Sequence, residues 1–274
     1  MITSMDLSII IPVYNSAATI VEAMDSVVRE CRANPYSWEL ILVDDGSKDN
    51  SDELIENYIK SSDYGKCIQL IKQPNGGAAV ARNTGIKASQ GEFIAFNDSD
   101  DRWLEGKLKL QMDYMQQHSS TDLLGCAYAA DNFQKGSLVK LSEMTHITIK
   151  AQVSKNYFSP PTTILRGKSL EKTGLFNEKL RYAEEGFFFN NMVYHGFCVY
   201  MQQSVAEPIL KKGRWGDCGL SGNLLKMEQG ELFNIRSAYQ FHYITFGRYL
   251  FAICFSLTKF VRRWLISKYR KICK

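Results

Sequence analysis

The 274-residue sequence lacks a Cys-x-x-C pair, and its seven cysteines are an odd number. Both features argue against a disulfide framework and against a structural zinc site, and they favour a reducing compartment. The first residues, Met1–Asp6, lack the basic segment that opens a secretory signal peptide, so none is expected. The remaining composition is that of a globular chain, long enough for one large α/β domain with appendages.

The C-terminal part of the chain has no acidic residue after Glu231, although nine lysines and arginines follow it. Residues 1–231 therefore carry a net charge of −5 and the tail carries +9. The longest uncharged runs of the tail, 237–247 and Tyr249–Thr258, have eleven and ten residues, whereas a helix needs about 20 to span a bilayer. Polar side chains exclude the longer run Gly186–Ala206 as a span. This basic, aromatic tail predicts an amphipathic helix lying on an anionic membrane surface. The alternative is one or two helices packed on the domain, with solvated basic residues.

Strands and helices alternate four times in the first hundred residues. Apolar runs predict strands at Leu7–Val13, Glu39–Val43, Cys67–Ile71 and 92–97. Helical spacing predicts intervening helices at Ala17–Arg32, from Asn50 (with Glu53 as a possible capping partner) and at Ala78–Ser89. This order is typical of a parallel sheet with helices on both faces, which binds its ligands at the carboxyl ends of the strands.

The remaining elements are predicted less regularly along the chain. We expect a helix containing Trp103, Leu104 and Leu108 to Met115, a second helix at Glu185–His195, and strands at Leu123–Ala130, Leu138–Leu141, Thr162–Leu165 and Phe197–Met201.

The fourth predicted strand ends in three carboxylates, Asp98, Asp100 and Asp101. If strand geometry continues past residue 97, Asp98 and Asp100 point to the same side. Two such carboxylates form a hard oxygen site suited to Mg²⁺ or Mn²⁺. The alternative is that Asp100 or Asp101 caps the helix predicted to begin near Trp103.

Several segments, in this order, resemble family-2 glycosyltransferases of the GT-A fold: Ser8–Asn15, Val43–Ser51, Asn75–Ile86, Gly91–Trp103 and Gly174–Phe188. The resemblance implies a nucleotide-sugar-binding α/β sheet with helices on both faces, to which the chain adds the amphipathic helical tail. We expect a catalytic domain at 1–230, with a nucleotide-sugar-binding half at 1–103 and an acceptor-binding half at 104–230. The membrane-associating tail would be 231–274.

The resemblance also implies functional residues on the donor side. It assigns a Mn²⁺ or Mg²⁺ ion to Asp98 and Asp100, and nucleotide-sugar binding to Pro12, Tyr14, Asp45, Arg82, Asp98, Ser99, Arg214 and Trp215. Tyr14 would stack on the base, Asp45 would accept a hydrogen bond from it, and Arg82 would reach the phosphates. The alternatives are a core position for Tyr14, Asp44 as the base reader with Asp45 in a turn, and Arg82 paired with a surface carboxylate.

On the acceptor side, relatives commonly have Glu-Asp where this chain has Glu184-Glu185. The resemblance makes Glu185 the catalytic base, although Glu in place of Asp moves the carboxylate by about one bond length. The alternative is that both carboxylates favour a helix N-terminus electrostatically. The loop 211–221 lacks the histidine that many relatives carry, so Arg214 and Trp215 would replace it in a mobile lid. A solvated surface loop is the alternative.

These features together predict a metal-dependent, inverting glycosyltransferase. It would move one sugar from a nucleotide sugar, with a UDP-sugar as the expected donor, to a polyprenyl-diphosphate-linked saccharide in bacterial O-antigen or capsule synthesis. It would be cytoplasmic and peripheral on the inner face of the plasma membrane, with no nucleic-acid partner. The alternatives are a nucleotidyltransferase, which would usually carry a Gly-rich loop where this chain has Tyr14-Asn15-Ser16, and a non-catalytic nucleotide-sugar-binding protein.

Overall fold

The computed structural model describes residues 5–129, 140–210 and 223–272. The strands in these residues are β1 (Leu7–Val13), β2 (Trp38–Asp44), β3 (Ile68–Lys72), β4 (Phe93–Phe96), β5 (Asp101–Trp103), β6 (Leu123–Tyr128), β7 (Met144–His146), β8 (Thr163–Arg166) and β9 (Cys198–Pro208). The helices are α1 (Ile20–Arg32), α2 (Ser51–Ser61), α3 (Ala78–Ala88), α4 (Lys107–Gln117), α5 (Ile149–Gln152), α6 (Leu170–Thr173), α7 (Glu184–His195), α8 (Leu224–Gln240) and α9 (Phe246–Ile272).

All the described strands belong to one sheet, in the order β3-β2-β1-β4-β8-β6-β9-β5, with β7 paired to β9. The first four strands along this order are parallel, which confirms the predicted arrangement of the N-terminal part. From β8 onward the sheet becomes mixed, because β8 is antiparallel to both β4 and β6. The carboxyl ends of β1, β2 and β4 therefore lie at one edge of the sheet, where the predicted donor residues follow them.

The sheet is covered on both faces, as the sequence predicted. Side chains alternate across a strand, and β1 illustrates this directly. Ile9 and Ile11 pack in one core cluster with Met24 of α1 and Met112 of α4. Their neighbour Ile10 packs in the opposite cluster, which contains Phe188 and other residues of α7.

The helix predicted to contain Leu108 to Met115 is present as α4, but its predicted start at Trp103 is wrong. Residues Asp101–Trp103 form β5, which pairs with β9, and α4 begins only at Lys107. Gly106 precedes α4 in the left-handed conformation (φ 82°), which favours glycine. Glu30 of α1 caps this helix, since its carboxylate accepts hydrogen bonds from the backbone N–H groups of Gly106 (3.0 Å) and Leu108 (2.9 Å). The interpretation of Asp100 or Asp101 as its cap is therefore also wrong.

Two further local predictions need correction. Asn50 precedes α2, but its side chain makes no capping hydrogen bond; Asp49 instead accepts one from the Ser51 N–H (3.1 Å). Lys140 and Leu141 are not in a strand, and residues 138 and 139 of that predicted strand lie outside the described residues, as does residue 130 of the strand that became β6.

Residues 231–240 of the tail belong to α8, and most of the rest folds as the long helix α9, which packs against α8. Buried Glu228 of α8 accepts hydrogen bonds from Ser256 Oγ (2.8 Å) and Arg263 Nη2 (3.0 Å) of α9. Lys259 Nζ donates to the Ser154 carbonyl (2.8 Å). One face of α9 therefore packs on the domain, as the alternative interpretation of the tail expected, but these basic side chains point inward rather than into solvent. Across 5–129, 140–210 and 223–272, no helix has both the length and the apolar character needed to cross a bilayer.

Candidate active site

A tight turn gathers the three carboxylates after β4. The strand ends at Phe96, and the Asp101 N–H donates to the Asp98 carbonyl (3.1 Å). The buried Asn97 side chain braces this turn by donating to the Asp101 carbonyl (2.9 Å). Strand geometry therefore does not continue through Asp100 as the sequence argument assumed, yet the predicted grouping is correct. Carboxylate oxygens of Asp98, Asp100 and Asp101 lie within 4.8 Å of one another.

The chemistry of this carboxylate turn fits a divalent cation. Its three groups are hard oxygen donors, and Asp98 and Asp100 are partly or fully exposed, so an ion there would keep positions for water or a diphosphate. The third carboxylate, Asp101, is buried and accepts a hydrogen bond from Tyr128 Oη (2.6 Å). Burial, together with the nearby Asp101 charge, raises the pKa of Tyr128, which keeps its hydroxyl protonated as a donor.

Arg82 of α3 links the carboxylate turn to α7. Its Nη2 donates to Asp98 Oδ1 and its Nη1 donates to Glu184 Oε1, each at 2.9 Å. Burial disfavours the charged guanidinium, but the charges of Asp98 and Glu184 outweigh this effect and raise the pKa of Arg82 above its usual value. Arg82 therefore pairs with a partly exposed carboxylate, Asp98, as the alternative expected, but it also pairs with the buried Glu184 and is itself buried. A contact between Arg82 and donor phosphates remains a prediction.

Glu184 and Glu185 occupy the first turn of α7, where the helix dipole favours negative charge. The residue before them, Ala183, has a left-handed backbone (φ 53°) and its carbonyl accepts a hydrogen bond from Asn234 Nδ2 of α8 (2.8 Å). Burial, and then repulsion from Glu184, raise the pKa of Glu185 to about 8. A carboxylate with such a pKa is suited to accept a proton near neutral pH.

The loops after β1 and β2 hold the other predicted donor residues. Tyr14 is 47% exposed, so the alternative of a core aromatic is wrong. Pro12 lies next to the last residue of β1. The sequence predicted this position near the strand end, because proline has no N–H to donate within the sheet. Ser99 in the carboxylate turn shares a hydrogen bond with Ser16 Oγ (2.7 Å), whose hydroxyl lies 3.2 Å from the Tyr14 carbonyl. The metal-binding candidates and Tyr14 are thereby connected.

Asp45 binds the loop between β3 and α3 of this chain. Its buried carboxylate accepts hydrogen bonds from Gln73 Nε2 (2.7 Å) and from the N–H groups of Gly76 (2.8 Å) and Gly77 (2.7 Å). Asp44 accepts one from the Ser47 N–H (3.2 Å). Which of the two reads a base stays a prediction. Arg214 and Trp215 lie outside the described residues.

Two asparagines that the sequence analysis missed hold α7 and the segment that leads into it. Asn83, next to Arg82, donates to the Phe176 carbonyl (2.9 Å) and accepts from the Phe176 N–H (3.0 Å). Asn234 holds Ala183 as described above, and a Cβ at Gly186 would come within 2.5 Å of its amide nitrogen. Asn83 lies inside Asn75–Ile86, one of the segments that carry the family resemblance, and this position could have identified it as a candidate. Asn234 lies in a predicted tail with no such signal.

Comparison with known proteins places this geometry in a family. Residues 8–174 match the family model described as "Glycosyl transferase family 2". The UDP-Glc:alpha-D-GlcNAc-diphosphoundecaprenol beta-1,3-glucosyltransferase WfgD of Escherichia coli is 38% identical over 119 residues, which are 43% of this chain and 44% of WfgD. The chain spans about half the length of the curated relatives that it matches.

Two solved structures share the fold. Staphylococcus aureus TarS 1-349 in complex with UDP-GlcNAc superposes with a TM-score of 0.66 at 21% identity, covering 94% of this chain and 72% of that chain. The mannosyltransferase from Pyrobaculum calidifontis in complex with GDP-Man and Mn²⁺ gives a TM-score of 0.67 at 16% identity, covering 85% and 64%. With the family model matching well over half of the sequence, the chain belongs to glycosyl transferase family 2.

Proposed function

We propose that this protein is a metal-dependent, inverting glycosyltransferase that transfers one sugar from a nucleotide sugar to a lipid-linked saccharide. The observation that carries the proposal is the connection of two sites by one buried side chain. Arg82 joins a carboxylate turn suited to a divalent ion with the Glu184–Glu185 pair, at 2.9 Å on each side. A donor bound at the turn and an acceptor activated at Glu185 would therefore lie next to each other.

On the donor side, Asp98 and Asp100 would hold Mn²⁺ or Mg²⁺, which would offset the negative charge that develops on the leaving nucleoside diphosphate. Tyr14 would stack on the base, while Pro12, Asp45 and Ser99 would shape the nucleotide site. A UDP-sugar is the proposed donor. The name of WfgD and the TarS complex support a UDP-sugar, and the Mn²⁺ in the mannosyltransferase complex supports the metal.

On the acceptor side, Glu185 would remove the proton of the attacking hydroxyl. Glu184 is occupied by Arg82, which leaves Glu185 as the carboxylate of the pair for this role. Attack by the activated hydroxyl on the anomeric carbon, from the side opposite the diphosphate, inverts the configuration there. The raised pKa of Glu185 supports this assignment, because a stronger base accepts the hydroxyl proton more readily.

The acceptor would be a polyprenyl-diphosphate-linked saccharide of O-antigen or capsule synthesis, at the inner face of the bacterial plasma membrane. WfgD, by its name, acts on such a lipid. The outward face of α9 also supports a membrane surface as partner. Six of its apolar side chains are each at least 40% exposed and follow one stripe of the helix, namely Phe246, Leu250, Leu257, Val261, Trp264 and Leu265.

Exposed Arg262 and Lys268 accompany this stripe, and Lys268 Nζ lies 4.4 Å from the centre of the Trp264 ring. Apolar side chains flanked by cations suit the surface of an anionic bilayer. We retain the proposed division into a nucleotide-sugar-binding half (1–103), an acceptor-binding half (104–230) and a membrane-associating tail (231–274).

A donor and acceptor screen tests the function. The full chain is incubated with a panel of nucleotide sugars, with Mn²⁺ or Mg²⁺, and with a lipid-diphosphate-linked GlcNAc acceptor. We expect one nucleotide sugar to give a glycosylated lipid with inverted anomeric configuration and a free nucleoside diphosphate. Release of inorganic diphosphate would instead indicate a nucleotidyltransferase. Donor binding without hydrolysis or transfer, for the whole panel, would indicate a non-catalytic binding protein.

A further inference from the structure

Arg82 contacts both halves of the candidate site with its two terminal nitrogens. Nη2 binds Asp98 of the carboxylate turn, and Nη1 binds Glu184 of α7. A planar guanidinium can make such a double contact because its donors are fixed in a fork, whereas a lysine ammonium is a single point charge. Both terminal nitrogens of Arg82 therefore already donate hydrogen bonds to carboxylates of the protein itself.

The position of this guanidinium is fixed by packing. It lies 5.4 Å from the centre of the Phe176 ring, and that ring stacks on Phe188 of α7 at 4.0 Å between centroids. Asn83, the next residue of α3, makes the two hydrogen bonds to the Phe176 backbone described above. The Arg82-Asn83 pair therefore fastens α3 to the segment that leads into α7.

The residues 183–186, which we call the base turn, have a second anchor in α8. Asn234 of α8 holds the carbonyl of Ala183, whose left-handed backbone starts the turn. With Glu184 directed to Arg82, the helix geometry sends Glu185 in another direction, since consecutive helical residues project about 100° apart. The direction of the Glu185 side chain is thus set by the contact that holds Glu184.

We propose that Arg82 is a positioning residue: by holding Glu184 against Asp98, it orients Glu185 toward the sugar held at the carboxylate turn. This role differs from the phosphate contact predicted for Arg82 from the sequence, and the test below distinguishes the two. The inference rests on the proposed function for the reaction that Glu185 performs. It concerns only how the chain's own residues place that carboxylate.

The test compares Arg82→Lys and Arg82→Gln with two other variants of the full chain. Asn234→Ala removes the second anchor of the base turn without touching Asp98. Arg166→Gln is the matched control, because Arg166 is also buried and forms an ion pair, with Glu92 at 3.2 Å. Arg166 of β8 pairs with the first residue of β4, so it lies at the opposite edge of the sheet from the carboxylate turn. For each variant, kcat and KM, calorimetric binding of UDP with Mn²⁺, and hydrogen exchange of the base turn are measured.

For both Arg82 variants we expect kcat to fall about 100-fold, the size of effect that a misplacement of about 1 Å can produce. UDP–Mn²⁺ affinity should stay within about threefold of the parent, and exchange in the base turn should rise. Lysine should not rescue turnover, because it cannot reproduce the double contact. Asn234→Ala should show the same pattern more weakly, and Arg166→Gln should lower only thermal stability.

Three results would overturn the inference. A loss of UDP–Mn²⁺ affinity of about tenfold or more, with kcat retained, would restore the phosphate role. Parental kcat and parental exchange in Arg82→Lys would remove any role in positioning. Arg82→Gln leaves Glu184 as a buried carboxylate without its cation and could fail to fold. The double variant Arg82→Gln/Glu184→Gln removes that carboxylate, and parental turnover in the double variant would also contradict the proposal.

The hydrogen-exchange measurement separates this inference from the proposed function. If the unmodified protein transfers no sugar but exchange in the base turn rises in the Arg82 variants and not in Arg166→Gln, the reaction is wrong and the positioning role stands. If the unmodified protein is active and exchange does not respond, the positioning role is wrong and the function stands.

Discussion

The pH dependence of turnover should report the protonation of Glu185. Burial and the neighbouring Glu184 raise its pKa to about 8 from 4.5. A general base works in its deprotonated form, so kcat/KM should rise with pH and level off above about 8. At pH 7 about one-tenth of the molecules would carry the active form, and activity should fall about tenfold for each further unit of acidification.

Glu184→Gln perturbs this pKa without removing the base. The change takes away the adjacent negative charge, while the glutamine oxygen can still accept a hydrogen bond from Arg82. Glu185 should then ionise more easily, both because repulsion is lost and because Arg82 has one carboxylate fewer. We expect the acidic limb to move to lower pH by about one unit or more, where one unit corresponds to about 1.4 kcal/mol.

The assay is kcat/KM for the acceptor at saturating donor, from about pH 5 to pH 10, for the parent, Glu184→Gln and Glu185→Gln. Glu185→Gln should lower the plateau by roughly 10²–10⁴-fold with little change in donor affinity. An acidic limb that stays in place in Glu184→Gln would refute the electrostatic reasoning. If Glu185→Gln keeps near-parental turnover while Glu184→Gln does not, the base is Glu184.

Three other outcomes follow from the structure. Asp100→Asn should abolish both transfer and Mn²⁺-dependent UDP binding with unchanged thermal unfolding, and full parental activity in EDTA would contradict the metal site. Burial lowers the pKa of Lys107 from 10.5 to about 8; between these two values this side chain is protonated in the unfolded state and neutral in the folded state. In urea unfolding, the stability of the parent relative to Lys107→Met should rise with pH across this window by on the order of 3 kcal/mol, and a constant difference would contradict the reasoning. Val261→Glu with Leu265→Glu should abolish sedimentation with anionic vesicles while the control Ser61→Glu does not, and unchanged sedimentation would exclude α9 as the membrane contact.

Local sequence patterns were sufficient for the N-terminal sheet. The apolar, β-branched run Leu7–Val13 is both the predicted and the observed β1. Glycine and carboxylates at strand ends likewise marked the sheet edge where the site lies. These features depend on residues only a few positions apart, so they can be predicted from local sequence patterns.

Contacts between distant segments were not predictable in this way. Trp103 belongs to an apolar series with helical spacing, but pairing with Ala206 makes it a strand residue. Arg82 and Glu184 are 102 residues apart along the chain, and the sequence offered only phosphates or a surface carboxylate as partners for this arginine. The role of Asn234 depends on where α8 packs. In each case tertiary packing, rather than local preference, decides the outcome.

The pairing of β5 with β9 also sets the order in which this protein can mature on the ribosome. Asp101 lies opposite Pro208, and the Ile209 N–H donates to the Asp100 carbonyl at 3.0 Å. At about 5–20 residues per second, the ribosome adds the partner strand roughly 5–20 s after the carboxylate turn. A nascent chain that ends before β9 can pair its first strands, but it lacks the contacts that β9 makes to the carboxylate turn. The carboxylate turn therefore acquires its last contacts late in translation, after residues 104–197 have been made.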